Sequence, residues 1–109
     1  MDTVVDRLIR YAKVYSESDY HAGRAVTPST QRQFDMGRLL VEELHGLGIE
    51  NAVLDEKCYV YASVPASPGC EHLPAIGLIA HMDTTPDMTG KDVKPQVIHY
   101  EGGDVVLNR

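Results

Sequence analysis

A histidine and an aspartate separated by one residue, His81 and Asp83, are the side chains of this sequence whose types and spacing most directly suggest chemistry. If the backbone is extended there, both side chains point to the same face, because side chains in a strand alternate with a period of two. The Asp83 carboxylate can then hydrogen-bond one imidazole nitrogen and leave the other free to bind a metal ion. Met82 would point the opposite way, into packing. The pair therefore predicts a metal ligand, His81, that is oriented by Asp83.

The same pair also has a purely structural interpretation. A catalytic zinc ion usually needs three protein ligands and an open position, which a single imidazole cannot supply. A histidine near the end of a strand is often only a hydrogen-bonded structural residue. The residues alone leave both interpretations open. In the turn that follows, we expect Thr84 and Asp87 to form hydrogen bonds between side chain and backbone.

The segment that leads into His81 is a short apolar run, residues 75–80, with the sequence Ala-Ile-Gly-Leu-Ile-Ala. A continuous apolar run without alternation is typical of a strand that is covered on both faces. Ligands of open α/β sheets collect at the carboxyl ends of strands, so the position of His81 directly after this run favours a binding site.

Two helices are predicted upstream of this run. Residues 3–15 carry an apolar stripe at helical spacing, and Asp2 or Thr3 can cap its start. An irregular loop follows over residues 16–28. Thr30 and Gln33 then have the spacing of a capping box. This second helix has the apolar face Phe34, Met36, Leu40, Val41, Leu44 and Leu47, an expected solvated pair Glu42-Glu43, and Gly46 or Gly48 at its end.

Strands account for most of the remainder. Residues 52–54 and 59–64 flank a plausible hairpin turn at 55–57. Residues 96–100 and 104–107 are predicted to form a second hairpin through Glu101-Gly102-Gly103. Two helices, a hairpin, a buried strand and a second hairpin predict an α/β fold, in which a mixed sheet is flanked by helices. We expect one domain over residues 1–109.

Composition and charge exclude several functional classes. Ten scattered basic residues against sixteen acidic ones give a net charge of −6, which argues against a nucleic-acid partner. No apolar stretch approaches the roughly 20 residues that span a membrane, and the N-terminus lacks the pattern of a signal peptide. Cys58 and Cys70 are expected to be reduced thiols. We therefore expect a cytoplasmic protein without a membrane partner.

Residues 76–87, Ile-Gly-Leu-Ile-Ala-His-Met-Asp-Thr-Thr-Pro-Asp, resemble the metal-site signature of the M20 group of zinc aminopeptidases and carboxypeptidases. Residues 90–96 and 100–107 resemble the peptidase T branch of that group, the tripeptide aminopeptidases. Upstream, residues 28–30, Leu44, Leu47-Gly48 and Pro65-Ala66 follow the same branch, so the resemblance covers nearly the whole chain.

This resemblance implies a zinc-exopeptidase-like catalytic domain that binds two zinc ions and removes the N-terminal residue from small peptides, tripeptides above all. It assigns His81 as a ligand of one zinc ion and Asp83 as a catalytic residue that orients it. A glutamate of the family deprotonates a metal-bridging water that attacks a carbonyl polarised by zinc.

The other family ligands have no counterpart after His81, and His99, in its predicted hairpin, is a poor substitute. We therefore expect an N-terminal part of a larger catalytic domain, truncated before those ligands and inactive alone. We also expect it to expose apolar surface and to self-associate through it.

Two alternatives stay open. The first is another M20-type hydrolase, acting on dipeptides, acylated amino acids or a C-terminal residue; the Gly102-Gly103-Asp104 hairpin argues against it. The second is a small non-catalytic α/β binding domain in which His81 and Asp83 are only structural. A chain that ends just beyond a predicted strand leaves a sheet edge uncovered, which argues against the second.

Overall fold

A computed structural model describes residues 2–106 of the chain. Its elements are, in order, α1 (Val4–Ala12), α2 (Gln33–Gly46), β1 (Val53–Leu54) and β2 (Val60–Tyr61). The two strands are antiparallel, with Val53 opposite Tyr61 and Leu54 opposite Val60. The fold is a small α/β arrangement of two helices and a two-stranded hairpin, which confirms the α/β class but with a smaller sheet than the mixed one expected.

The predicted cap of the first helix is confirmed at Thr3. Its hydroxyl accepts a hydrogen bond from the backbone N–H of Asp6 at 3.1 Å, and the Asp6 carboxylate accepts from the backbone N–H of Thr3 at 2.8 Å. The bonds to Thr3 also lower the pKa of Asp6. The helix ends at Ala12, before Tyr15, and none of its residues is buried. The apolar stripe of this helix lies at the surface of the described residues, since Val4 and Leu8 remain exposed.

The second helix begins at Gln33, two residues later than a cap at Thr30 predicts. Thr30 donates its hydroxyl to the carbonyl of Glu17 at 2.7 Å and accepts from the side-chain amide of Gln33 at 3.2 Å. No side chain caps α2. Thr30 and Gln33 thus meet as predicted, but the capping box is wrong, because the backbone N–H of Gln33 donates to the carbonyl of Thr30 at 3.4 Å and not to its hydroxyl. The helix ends at Gly46, and Gly48 follows in the left-handed conformation with a φ of 82°.

The hairpin turn is held by one aspartate. A carboxylate oxygen of Asp55 accepts the backbone N–H groups of Lys57 at 2.9 Å and Tyr59 at 2.8 Å. These bonds leave Cys58 in the left-handed conformation, with a φ of 66°. The predicted hairpin is confirmed, and the bonded turn explains why its strands stay short: Tyr59 belongs to the turn rather than to β2.

The helix α2 packs closely against this hairpin. A Cβ atom at Gly37 would lie 2.7 Å from Cδ1 of Leu54 and 3.6 Å from Sγ of Cys58. Met36, Ala52 and Cys58 are the buried apolar residues of the part of the chain that the structure describes. The core is therefore small and lies between α2 and the turn of the hairpin.

Glu43 joins the two helices. Its carboxylate accepts hydrogen bonds from the guanidinium of Arg10 and the hydroxyl of Tyr11, and its side chain is only 16% exposed. Burial, and then the bond to Glu43, raise the pKa of Tyr11. The expected solvated pair is thus correct for Glu42, which is exposed, and wrong for Glu43. A carboxylate next to α1 gains two donors there, which offset its loss of hydration.

Residues 75–80 are not the buried strand that their composition predicts. They pair with no strand among residues 2–106, and Ile76, Leu78 and Ile79 are 88%, 94% and 101% exposed. An apolar strand is covered on both faces only where other strands and helices flank it. The two helices and the hairpin do not cover these faces, so the expected exposed apolar surface is present here.

The second predicted hairpin is also absent from the described residues. Residues 96–100 and 104–106 form no strand, and Leu107 lies outside the described range. The turn between them does close, since the hydroxyl of Tyr100 donates to the carbonyl of Gly103 at 2.9 Å. Within residues 2–106, no helix is long and apolar enough to cross a membrane.

We predict that Gly37→Val destabilises the chain by about 1–3 kcal/mol, because the added methyl groups overpack the contact with Leu54. The matched control is Gly46→Val in the same helix, where a Cβ atom meets nothing within 4 Å. Urea unfolding followed by circular dichroism measures both free energies of unfolding. Equal losses in the two variants would contradict the close packing of α2 on β1.

We also predict that the 109-residue chain self-associates through residues 75–80. Size-exclusion chromatography with light scattering should give a mass above that of the monomer at micromolar concentration. Replacing Leu78 and Ile79 by Ser should restore the monomer, because it removes most of the apolar area of this segment. Replacing Val105 and Val106 by Ser, which are also exposed, is the control. A monomeric wild-type chain would contradict the prediction.

Candidate functional site

The structure brings His81 and Asp83 together as the spacing predicts. Nδ1 of His81 lies 2.9 Å from the backbone carbonyl oxygen of Asp83 and 3.1 Å from its Oδ1. Both oxygens accept hydrogen bonds, so the contact favours the tautomer with the hydrogen on Nδ1, in which Nε2 is the nitrogen with a lone pair. The His81 side chain is 85% exposed and that of Asp83 34%. The free nitrogen is therefore in the form, and at the surface, that a metal ion requires.

Met82 faces away from this pair, as the alternation of an extended chain predicts. Its Sδ lies 3.9 Å from Sγ of Cys58, which is buried beside the hairpin turn. Burial, and then the charge of Asp55, raise the pKa of the Cys58 thiol. The contact anchors the back of the histidine-bearing segment to the small core.

His81 lies at the wall of an open groove of about 940 Å³. It is lined by residues of the two helices, of the hairpin and of the segment that carries His81. Most of the lining side chains are apolar, among them Leu8, Leu40, Leu44, Val60, Leu78 and Ile79. The surroundings of the imidazole are therefore largely apolar, although its own nitrogen is open to solvent.

The backbone directly after Asp83 pairs with the loop that follows α1. The N–H of Thr84 donates to the carbonyl of Ser16 at 3.3 Å, and the carbonyl of Thr84 accepts from the backbone N–H of Ser18 at 2.9 Å and its hydroxyl at 3.1 Å. This is an isolated parallel bridge centred on Glu17 and Thr84. Sequence reasoning described residues 16–28 only as a loop, and no residue type there indicates this pairing.

The turn after the bridge is closed by three side chains. The hydroxyl of Thr85 donates to Oδ2 of Asp87 at 2.7 Å, and the hydroxyl of Tyr20 lies 3.1 Å from the same oxygen and 2.9 Å from Thr85 Oγ1. The N–H of Asp87 reaches Thr85 Oγ1 at 3.4 Å. Asp87 thus helps to shape the turn, but its carboxylate accepts from the side-chain hydroxyls of Thr85 and Tyr20 rather than from the expected backbone group. Thr84 takes part through its backbone and not through the expected side chain. Sequence reasoning gave Tyr20 no role.

Glu17 fixes the far end of the same segment. Its carboxylate accepts the backbone N–H of Gly90 at 3.0 Å and lies 3.8 Å from the guanidinium of Arg32. That guanidinium stacks on the ring of Tyr15, with Cζ 4.3 Å from the ring centre. A charge partner, a backbone donor and an aromatic face together hold residues 84–90 against the end of α1 and the start of α2.

These residues offer one candidate metal ligand rather than a complete metal site. Among residues 2–106, no group of three His, Cys, Asp or Glu side chains is close enough to share an ion. His99 interacts instead with Glu101, its Nε2 lying 3.4 Å from the carboxylate, and it is exposed. The imidazole of His81 fits one coordination position of a zinc ion, and the described chain offers no others next to it.

We predict that Cys58 reacts with a disulfide reagent such as DTNB far more slowly than Cys70 at pH 8. Thiols attack as thiolates, and both the burial of Cys58 and its raised pKa lower its reactivity. Met82→Ala should speed the labelling of Cys58, because it uncovers the side of the thiol that the Met82 side chain contacts. Met88→Ala, at an exposed position, is the control. Unchanged labelling in Met82→Ala would contradict the Met82–Cys58 contact.

Comparison with known proteins gives a consistent result. No family model matches the chain. It is 50% identical to the peptidase T of Alkaliphilus oremlandii over 111 residues, an alignment that covers 100% of this chain and 27% of that relative. The peptidase T of Halothermothrix orenii is also 50% identical, with 100% and 26% covered, and that of Geobacillus kaustophilus is 46% identical, with 97% and 25% covered. The chain spans about a quarter of the length of these curated relatives. Over its whole length, the chain is therefore similar to one segment of these peptidase T relatives.

Proposed function

We propose that the complete protein is a zinc-dependent aminopeptidase of the M20 type that releases the N-terminal residue from tripeptides in the cytoplasm. In this proposal His81 is one zinc ligand and Asp83 is the catalytic residue that orients it. The observation that carries the proposal is the hydrogen bond from Nδ1 of His81 to both oxygen acceptors of Asp83. The similarity of the whole chain to peptidase T supports it.

The role of Asp83 follows from the chemistry of the imidazole. An acceptor at Nδ1 keeps the hydrogen on that nitrogen, fixes the ring plane and makes Nε2 a better electron-pair donor. The backbone carbonyl of Asp83 adds a second acceptor that does not depend on the ionisation of the side chain. The ring is therefore held in one tautomer by two oxygens of the same residue.

Zinc, when bound, would polarise the peptide carbonyl and make a bound water more acidic. The part played by this chain is narrower: it holds one ligand in the correct tautomer and position. Two anchors fix that position, the Met82–Cys58 contact behind the ring and the pairing of Thr84 with Ser16 and Ser18 beyond it. A small peptide is the proposed substrate, and a second zinc ion is expected from the family resemblance.

The test uses the polypeptide of the complete reading frame, loaded with zinc and assayed with a simple tripeptide. His81→Ala should abolish release of the N-terminal residue and lower the zinc content, measured by elemental analysis. Asp83→Asn should reduce kcat or zinc affinity by roughly 10–100-fold, as for other partners of metal-bound histidines. His99→Ala, at an exposed histidine outside the site, should retain full activity.

Other outcomes decide between this proposal and its alternatives. Hydrolysis of dipeptides or acylated amino acids, with tripeptides left intact, would replace the substrate assignment by that of another M20-type hydrolase. No hydrolysis by a folded, zinc-loaded protein would favour a non-catalytic binding domain. The 109-residue chain supplies one ligand among its described residues, so we expect it to be inactive alone. Full activity from it would contradict the assignment of ligands outside this segment.

A further inference from the structure

We propose that Tyr20 is a positioning residue for the His81–Asp83 pair, and that it acts through the turn formed by Thr85 and Asp87. This inference rests on the proposed function for its catalytic consequence, although its structural part can be tested without any activity. Tyr20 lies in the loop after α1, some sixty residues before His81 in sequence, and nothing in its sequence context indicates a role.

The first step of the argument is the geometry of the cluster. The hydroxyl of Tyr20 lies within hydrogen-bond distance of both Thr85 Oγ1, at 2.9 Å, and Asp87 Oδ2, at 3.1 Å. The Oγ1 atom of Thr85 also donates to Oδ2 of Asp87, at a distance of 2.7 Å. These three oxygen atoms thus form a closed triangle. Two of them belong to the turn, and the third belongs to Tyr20 in the distant loop.

The second step concerns what the rest of the Tyr20 side chain does. Tyr20 is 68% exposed, so burial of its ring contributes little to its position. The hydroxyl makes both of the contacts that tie Tyr20 to the turn, and each of them spans more than sixty residues of chain. The hydroxyl oxygen of Tyr20 is therefore the atom that links this residue to the turn, and Tyr20→Phe removes it.

The third step is that the loop bearing Tyr20 is itself fixed. The backbone N–H of Asp19 donates to the hydroxyl of Ser29 at 3.0 Å, and the carbonyl of Glu17 accepts the hydroxyl of Thr30 at 2.7 Å. A carboxylate oxygen of Asp19 accepts the N–H of His21 at 2.8 Å. Tyr20 is thus flanked by anchored residues on both sides, and its hydroxyl is a fixed point rather than the end of a free side chain.

The fourth step links the turn to the imidazole. The turn begins at Thr85, two residues after Asp83, and the backbone carbonyl and carboxylate of Asp83 hold Nδ1 of His81. Thr84 between them is bonded on both its N–H and its carbonyl to the same loop. A shift of the turn would therefore move the two acceptors of His81, and a metal ligand tolerates only displacements of about 0.5 Å without loss.

The functional test is Tyr20→Phe in the zinc-loaded complete protein. We expect kcat to fall by about 10-fold with a much smaller change in KM, which is at the lower end of the range for residues that orient a metal-bound histidine. Zinc stoichiometry and melting temperature should stay unchanged. Tyr59→Phe is the matched control, since Tyr59 is similarly exposed and its hydroxyl makes no hydrogen bond within residues 2–106.

A double-mutant cycle separates positioning from a general loss of stability. If Tyr20 acts through Asp87, then Tyr20→Phe should have no further effect on kcat in an Asp87→Ala background. Additive losses would overturn the proposed route through the turn. An unchanged kcat in Tyr20→Phe alone, with an active wild-type protein, would overturn the inference itself and leave the proposed function intact.

The structural test covers the case in which the complete protein proves inactive and the proposed function fails. In the 109-residue chain with Leu78 and Ile79 replaced by Ser to keep it monomeric, NMR spectra of Tyr20→Phe should show shifted backbone signals for Asp83, Thr85 and Asp87, with faster hydrogen exchange of the Asp87 amide. Tyr59→Phe should leave these signals in place. Unchanged signals in Tyr20→Phe would show that the hydroxyl does not position the turn, and the inference would be wrong.

Discussion

The pairing of Thr84 with Ser16 and Ser18 is the interaction on which the arrangement of the site depends. It brings together two segments almost seventy residues apart, the loop after α1 and the segment that bears His81. Its three hydrogen bonds involve both the N–H and the carbonyl of Thr84. They therefore fix the direction of the chain at Thr84 as well as its distance from the loop. Glu17, at the centre of the bridge, extends the same contact to Gly90. The packing of Met82 on Cys58 and the turn at Thr85 and Asp87 add to this pairing on either side of it.

The geometry of His81 and Asp83 is by contrast a local property. Two residues of extended chain bring the imidazole and the carboxylate to one face, and no distant residue takes part in that hydrogen bond. For this reason the pair could be predicted from the sequence, and so could the opposite orientation of Met82. The same reasoning explains the success at Thr3 and at the hairpin turn, where Asp6 and Asp55 bond backbone groups within four residues of themselves.

Long-range features could not be predicted in this way. Tyr20 and Glu17 lie in a segment without periodicity, and their partners become apparent only when the chain is folded. Glu43 illustrates the same limit, because its position on α2 indicates solvent while its contacts to Arg10 and Tyr11 depend on where α1 lies. The capping-box pattern at Thr30 failed because its hydroxyl bonds the distant carbonyl of Glu17 and the side-chain amide of Gln33, while the backbone N–H of Gln33 donates to the carbonyl of Thr30. Local hydrogen-bond patterns predict correctly only where no distant group competes.

The apolar run before His81 shows what composition alone determines. Residues 75–80 have the composition of a covered strand, yet Leu78 and Ile79 are exposed in the described chain. Complete burial of such a side chain contributes roughly 1.5–3 kcal/mol, and that contribution is missing here. The position of His81 must therefore be set from its other side: by Met82 on Cys58, by Thr84 in its bridge, and by the turn that follows. The position of the His81 side chain thus depends on contacts made by the residues that follow it in sequence. The apolar segment before it provides surface that the two helices and the hairpin leave uncovered.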